Sequence, residues 1–188
     1  MSAAVILAAG ASRRLGRPKQ SVVVAGETLL ERAARTARQA GCAPVIVVVR
    51  PEGDFDDTLQ QLGCVVVLND EADEGIAASI RRGVNVAGQW KATGVVLMTC
   101  DQIAVTPEHL QALCAQPDAA CGSGYAGKIG IPAYFPASDF HALQQLRGDT
   151  GARELLRSAR AVPTEALSFD VDTEEDVVRA RKLLEGED

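Results

Sequence analysis

The sequence predicts a doubly wound α/β fold, mostly parallel, and three observations carry that expectation. Short runs rich in Val and Ile recur at residues 3–8, 44–49, 64–68 and 94–99. Continuous β-branched runs of this length suit strands buried on both faces of a parallel sheet. Helical spacing fills the intervals, and a strict β-α alternation implies right-handed crossovers. Finally, 188 residues with 47% hydrophobic and 23% charged side chains suit one domain with one substantial core. Only 4% are aromatic, so that core must be aliphatic.

Taken in order, the intervals read as follows. Residues 27–40 place Leu29, Leu30, Ala33, Ala34 and Ala37 along one side of a helix. Shorter helices are expected at 55–62 and 76–87. Thr106-Pro107 opens another, with Thr106 as N-cap and Pro107 in the first turn, running to about residue 115. The rhythm then changes. Strands are expected at 119–122 and 131–135, joined through the glycine-rich 122–130. Helices are expected at 139–146 and 151–160, and a short strand at 168–171. Thr173 caps a closing helix over 173–184, with Asp176 three residues on as a capping-box partner. This second part forms a small C-terminal antiparallel element within a single domain spanning 1–188. No repeat, low-complexity tract or dividing linker interrupts it.

The formal net charge is -6, which argues against general binding to nucleic acid or a membrane surface. Locally, Arg13, Arg14, Arg17 and Lys19 oppose that sign. No apolar run approaches the ~20 residues that span a bilayer, and the N-terminus lacks the pattern of a signal peptide. The five cysteines are odd in number and include no C-x-x-C pair, so they read as reduced thiols in a cytoplasmic protein.

The loop after the first expected strand runs Ala8-Ala9-Gly10-Ala11-Ser12-Arg13-Arg14-Leu15-Gly16-Arg17-Pro18-Lys19. Doubly wound sheets bind ligands at the carboxyl ends of their strands. Small residues let backbone N–H groups approach a phosphate, and basic side chains can neutralise a triphosphate. The same composition also describes a surface loop with solvated arginines. Two familiar nucleotide loops fail on spacing: Lys19 is not adjacent to Gly16 as a Walker A loop requires, and G-x-G-x-x-G is absent. Asp101 ends an apolar run, where an acid is costly unless exposed or paired with a cation. Asp170 and Asp172 precede a helix start, where capping alone would explain either. His109 and His141 sit on expected helices as packing residues, and Trp90 is expected to pack.

Leu7-Ala8-Ala9-Gly10, Arg14-Leu15-Gly16 and Pro18-Lys19 resemble the signature loop of nucleotidyltransferases that activate sugars, alcohols and pterins. More specifically, the chain resembles the molybdenum cofactor cytidylyltransferases within the MobA-like NTP transferase superfamily. The resemblance continues through Glu74-Gly75-Ile76-Ala77-Ala78-Ser79-Ile80-Arg81-Arg82-Gly83, Asp101-Gln102, Gly148-Asp149-Thr150-Gly151-Ala152-Arg153 and Asp170-Val171-Asp172-Thr173-Glu174-Glu175-Asp176. These blocks keep the family's order across nearly the whole chain.

That resemblance implies a nucleotide-diphospho-sugar transferase-like, Rossmann-like fold, with a nucleotide-binding part near 1–105 and an acceptor-binding part near 106–188. It implies transfer of CMP from CTP to molybdopterin or its molybdenum-loaded form, with release of pyrophosphate. Lys19 would act at the α-phosphate. Arg14 and the backbone of Gly10, Ala11, Ser12 and Arg13 would hold the β/γ-phosphates. Leu7, Ala8, Ala9, Gly75 and Ser79 would complete the nucleotide site. Asp101 and Asp172 would hold Mg²⁺, with Asp172 preferred over Asp170 because it immediately precedes Thr173. Asp149 and Arg153 would shape the acceptor side. Ala9 stands where guanylyl relatives tend to carry Gly, which favours cytidine.

Partners implied are CTP, a phosphorylated acceptor, and transient contact with a molybdoenzyme or its chaperone. Two departures from the family pattern, Ile103 for Pro and Ile131 for His, put the pterin acceptor in doubt. Another phosphorylated acceptor, such as a phospho-sugar or phospholactate-like compound, stays open. So does a non-catalytic carrier, although a carrier needs no residue at the α-phosphate. An NAD-dependent oxidoreductase is disfavoured by the missing glycine fingerprint.

Overall fold

The structure, a computed structural model, describes residues 1–12, 14–52 and 57–186. The expectations for Arg13, and for Phe55 and Asp56 at the start of the second helix, lie outside them.

Strand β1 (Ser2–Leu7) is the hub. After it comes a small hairpin, β2 (Val23–Val24) and β3 (Glu27–Thr28), and then α1 (Leu29–Gln39). The chain continues through β4 (Val45–Val49), α2 (Asp57–Gln61), β5 (Val65–Leu68), α3 (Ile76–Gln89), β6 (Gly94–Thr99) and α4 (Pro107–Leu113). The remainder is β7 (Cys121–Tyr125), β8 (Lys128–Pro136), α5 (Phe140–Gln144), β9 (Arg160–Pro163) and α6 (Glu174–Glu185).

One seven-stranded sheet runs in the order β5-β4-β1-β6-β8-β7-β9. β1 pairs in parallel with both β4 and β6, placing Val5 between Ile46 and Leu97. The chain leaves β1 towards β4 and β5, then returns to its other side as β6. The carboxyl end of β1 is therefore a topological switch point.

Alternation along β1 feeds two cores. Ala4 and Ile6 face Leu29, Leu30 and Ala33 of α1, Leu110 and Leu113 of α4, and Val177 and Ala180 of α6. Ala3, Val5 and Leu7 face Ile80, Val84 and Ala87 of α3 and Leu143 of α5. Every residue of β4 is buried, as its unbroken Val/Ile run implies.

The first half matches expectation closely, with one exception. Glu27 and Thr28 are β3 and not helix, because Thr28 takes extended backbone as N-cap and closes a capping box with Glu31. Past α4 several expectations change. The glycine-rich segment is largely strand: β7 and β8 form a hairpin turning at Ala126 and Gly127, whose φ of 49° and 71° suit a two-residue type I′ turn. A register shift between Gly122 and Ser123 absorbs the irregularity that strand glycines commonly mark.

Residues 151–160 hold only a 3-10 turn, Ala152–Leu156, before β9 pairs in parallel with β7. Pro163 fits there because β9 is the sheet edge. The strand expected at 168–171 is a 3-10 turn, Glu165–Ser168, followed by extended chain, since no neighbouring strand pairs with it. A single backbone bond, Val171 N to Asp101 O at 3.0 Å, ties this segment to the end of β6. Trp90 does not pack: it is 61% exposed at the end of α3.

Candidate active site

A cleft of about 520 Å³ opens at the carboxyl ends of β1, β4 and β6, within the size range of small-molecule sites. From the first loop it is lined by Leu7, Ala8, Ala9, Gly10, Ala11, Ser12, Arg14 and Lys19. Gly75 and Ser79 reach it from the start of α3, Asp101 from the end of β6, and Asp149 and Asp172 from the second half. Of the described residues that the resemblance assigns to the site, only Arg153 stands away from this lining. It is exposed on the turn after Asp149.

Ser12 shapes the loop. Its φ of 47° turns the chain, and its carbonyl accepts from the N–H groups of Leu15 and Gly16, both at 3.1 Å. Its hydroxyl accepts from Lys19 N–H at 3.1 Å. The loop thus folds back so that Lys19 lies over the strand ends.

The Lys19 ammonium donates to Asp101 Oδ2 at 3.0 Å and to Asp172 Oδ1. Arg14 Nη2 meets the other Asp172 oxygen at 2.5 Å. Lys19 and Asp101 are each 18% exposed and Asp172 21%, whereas Arg14 is 73% exposed. Burial works against the Lys19 charge, yet the hydrogen bond to Asp172 and the field of Asp101 outweigh it and raise its pKa.

Asp172 occurs at this position because Thr173 caps α6. The side chain of Asp176 accepts from the N–H groups of both Asp172 and Thr173, which fixes the backbone that presents the carboxylate. Asp170 lies outside the cleft lining. Its carboxyl is pushed up to about 6, by burial first and then by Asp101 and Asp172. The residue keeps an exposed surface.

Glycine is required at Gly75. Its φ is +118°, and a Cβ there would sit 2.5 Å from Asp149 Oδ1 and from the Gly148 carbonyl. Gly75 thus packs closely against Gly148 and Asp149. Ala77 N–H donates to Gly148 O at 3.1 Å, and Arg81 forks onto Glu74 at 2.7 and 2.5 Å. The Ala77 bond joins the start of α3 to Gly148, while the Arg81–Glu74 pair ties α3 to the residue just before Gly75. Ser79 is buried and its hydroxyl accepts from Asn69 Nδ2 at 2.9 Å.

Sequence reasoning missed Arg50 and Asn69. Both immediately follow strands, β4 and β5, and the strand-end rule applied to Asp101 would have flagged them. Arg50 lines the cleft, while Asn69 is fully buried behind Ser79.

Other candidates resolve as structural. Ser123 donates to Pro132 O at 2.6 Å, so His109 Nε2, 2.7 Å from the same hydroxyl, carries the hydrogen. Burial lowers the pKa of that ring. The buried Cys100 thiol is pushed up to about 12, by burial and then by Asp101, which disfavours the thiolate.

Among the described residues, no three His, Cys, Asp or Glu side chains converge as a ready-made metal cage. What is present is a pair of carboxylates turned towards one cation, the Lys19 ammonium. Two hard carboxylates completed by phosphate oxygens and water suit magnesium, so the donor set fits that ion. No helix among the described residues is long and apolar enough to cross a membrane.

The MobA-like NTP transferase domain matches residues 4–164. The chain is 30% identical to the purine catabolism protein PucB of Bacillus subtilis over 96% of each chain. It is 28% identical to nicotine blue oxidoreductase of Paenarthrobacter nicotinovorans over 93% of this chain and 94% of that one. To a probable molybdenum cofactor guanylyltransferase of Opitutus terrae it is 32% identical, over 51% of this chain and 48% of that one.

Among solved structures, a nucleotidyl transferase from Methanothermobacter thermautotroptrophicus superposes with a TM-score of 0.81 at 26% identity, covering 100% of this chain and 99% of that one. Rv0371C of Mycobacterium tuberculosis, solved as a complex with manganese, superposes at 0.74 with 28% identity, covering 96% and 98%. With a cleft at the switch point, paired carboxylates facing a loop lysine, and a match over residues 4–164, this chain belongs to the MobA-like NTP transferase family.

Proposed function

We propose that this protein transfers CMP from CTP to the phosphate of molybdopterin or its molybdenum-loaded form, in the cytoplasm, releasing pyrophosphate. The observation that carries the reading is Lys19, held by Asp101 and Asp172 beside the small-residue loop. An acceptor phosphate oxygen attacks the α-phosphorus in line, a new P–O bond forms, and the bond to the β-phosphate oxygen breaks. An ionised phosphate nucleophile needs no general base, so the protein contributes orientation and charge.

Lys19 neutralises charge developing at the α-phosphorus. Arg14 and the backbone N–H groups from Gly10 to Arg13 take the β- and γ-phosphates. Arg14 is paired with Asp172, so it exchanges partners to take the triphosphate. Its high exposure makes that exchange cheap. Asp101 and Asp172 would hold Mg²⁺, which supplies charge neutralisation on the phosphates. Support for a divalent ion comes from the donor set and from the manganese complex of Rv0371C.

Gly75 and Ser79 border the nucleoside. Asp149, wedged against Gly75, lies at the seam with the acceptor side. Arg153, exposed outside the cleft, is assigned to acceptor capture or to anchoring the neighbouring turn. Cytidine is favoured by the Cβ of Ala9, which narrows the room for a purine, and transient docking to a molybdoenzyme or its chaperone would deliver the product.

The test is pyrophosphate release with each NTP and molybdopterin. CTP should lead, and Ala9→Gly should raise the GTP rate relative to CTP. An unmoved ratio would remove the base assignment. The relative named as an oxidoreductase supplies a second reading. Consumption of NADH or NADPH without pyrophosphate release would favour it.

A further inference from the structure

The last ladder bond between β1 and β4 runs from Ala8 N–H to Val48 O at 2.9 Å. Beyond it the loop leaves the sheet, and the Ala9 carbonyl lies outside the strand ladder. Arg50 meets it instead: Nε donates to Ala9 O at 2.9 Å. The same guanidinium donates through Nη2 to Asp73 Oδ1 at 2.8 Å, two residues before Gly75. The Arg50 side chain is 28% exposed and Asp73 is 92% exposed. The bond to Ala9 is therefore the sheltered one, and the Asp73 pair is weakened by solvent.

A trans peptide is planar, and its C=O and N–H point in opposite directions. Holding the Ala9 carbonyl towards Arg50 therefore fixes the direction of the Gly10 N–H. Among the described residues, neither Gly10 nor Ala11 N–H has a hydrogen-bond acceptor, and both residues line the cleft. A Gly10 peptide turned the other way would offer a carbonyl oxygen to an anion, which repels it.

We propose that Arg50 is a positioning residue for the phosphate loop, acting through the Ala9–Gly10 peptide and not by touching the nucleotide. Its ligand class is the triphosphate, so the inference rests on the nucleotide reading above. It adds a residue outside the loop and its family motif, and it gives that residue a geometric task distinct from charge neutralisation.

The chemistry of glutamine supplies the test. Gln Nε2 stands the same number of bonds from the backbone as Arg Nε, so Arg50→Gln keeps a donor for Ala9 O and removes the charge. Arg50→Met removes both. Binding of inorganic tripolyphosphate is measured by calorimetry for the full chain and both variants, with melting curves to check folding. A lost charge-assisted bond corresponds to about a 10-fold loss of affinity. Arg50→Met should show that loss, while Arg50→Gln should stay within about 3-fold of the parent, since a neutral donor still orients the peptide.

Equal losses in both variants would assign Arg50 to charge or direct phosphate contact and overturn the proposal. No loss in Arg50→Met would overturn it as well. If Arg50→Met does not fold, the Arg50→Gln affinity and its Gly10 amide shift decide: a collapse of binding or a displaced amide contradicts the peptide role. Absence of tripolyphosphate binding by the parent would instead remove the phosphate-site reading itself, and this proposal with it.

Discussion

The two sides of the β6–β8 boundary are built differently. On one side β5, β4, β1 and β6 run parallel, and their carboxyl ends point at one place. On the other, β8 is antiparallel to β6, and β7 and β9 follow it outward. The parallel half supplies the loop after β1, Arg50, Ser79 and Asp101. Among the described residues, the second half supplies only two to the cleft lining, Asp149 and Asp172, and both arrive from irregular segments anchored to the first half. A parallel sheet concentrates strand ends in one plane, whereas an antiparallel extension divides them between both edges. Chemistry thus gathers on one side, and the other contributes where single anchored loops reach back.

If the contrast holds, the largest effects belong to residues where the halves meet over the cleft. Lys19→Ala and Asp101→Asn should each lower turnover by about 10²–10³, the scale for removing a preorganised electrostatic partner. Their melting temperatures should change little. Asp170→Asn, outside the lining, should cost far less. An Asp170 variant as damaged as an Asp172 variant would exchange the two roles.

Gly75→Ala should break the seam next. Its left-handed φ and the 2.5 Å approach of Gly148 and Asp149 leave no room for a methyl group. A loss of about 1–3 kcal/mol in denaturant titration is expected. A neutral result would mean that the seam opens without strain.

Tyr134→Phe tests the second half alone. That ring is fully buried in β8, and its hydroxyl donates to Pro117 O at 2.8 Å. Losing the bond should cost about 1 kcal/mol, with turnover unchanged. A change in turnover would couple this half to the chemistry more tightly than its place in the cleft implies.

The smallest effect concerns pH. Arg81 first, with Gly148 N–H adding to it, holds the Glu74 carboxyl at about 2, below its ordinary 4.5. A depressed carboxylate contributes stability that is present above the ordinary value and lost as pH falls through the folded one. The Glu74 carboxyl carbon should therefore titrate near 2 by NMR and move up towards 4.5 in Arg81→Gln. An unmoved midpoint would exclude Arg81 as the cause.

The same boundary separates what could be read in the sequence from what could not. Val45–Val49 and Gly94–Thr99 announce themselves because buried parallel strands need unbroken apolar runs. Lys19, Asp101 and Asp172 were singled out by the family motifs they sit in, since position alone left Asp172 a capping residue, and the structure brings the three side chains together. Cys121–Tyr125 was obscured by its glycines, which hide strand propensity behind turn chemistry. Arg160–Pro163 forms only because β7 offers an edge, a tertiary cause with no local signal. Arg50 was passed over because its role depends on a carbonyl 41 positions earlier in the chain.

The proposed nucleotidyl transfer depends on Lys19, Asp101 and Asp172. Mass spectrometry of the acceptor after incubation with CTP, Mg²⁺ and molybdopterin tests it most directly. The account predicts a CMP adduct on the acceptor, one pyrophosphate released per adduct, and neither product with Lys19→Ala. Tight CTP binding with no adduct would contradict it, as would adduct formation that survives loss of Lys19.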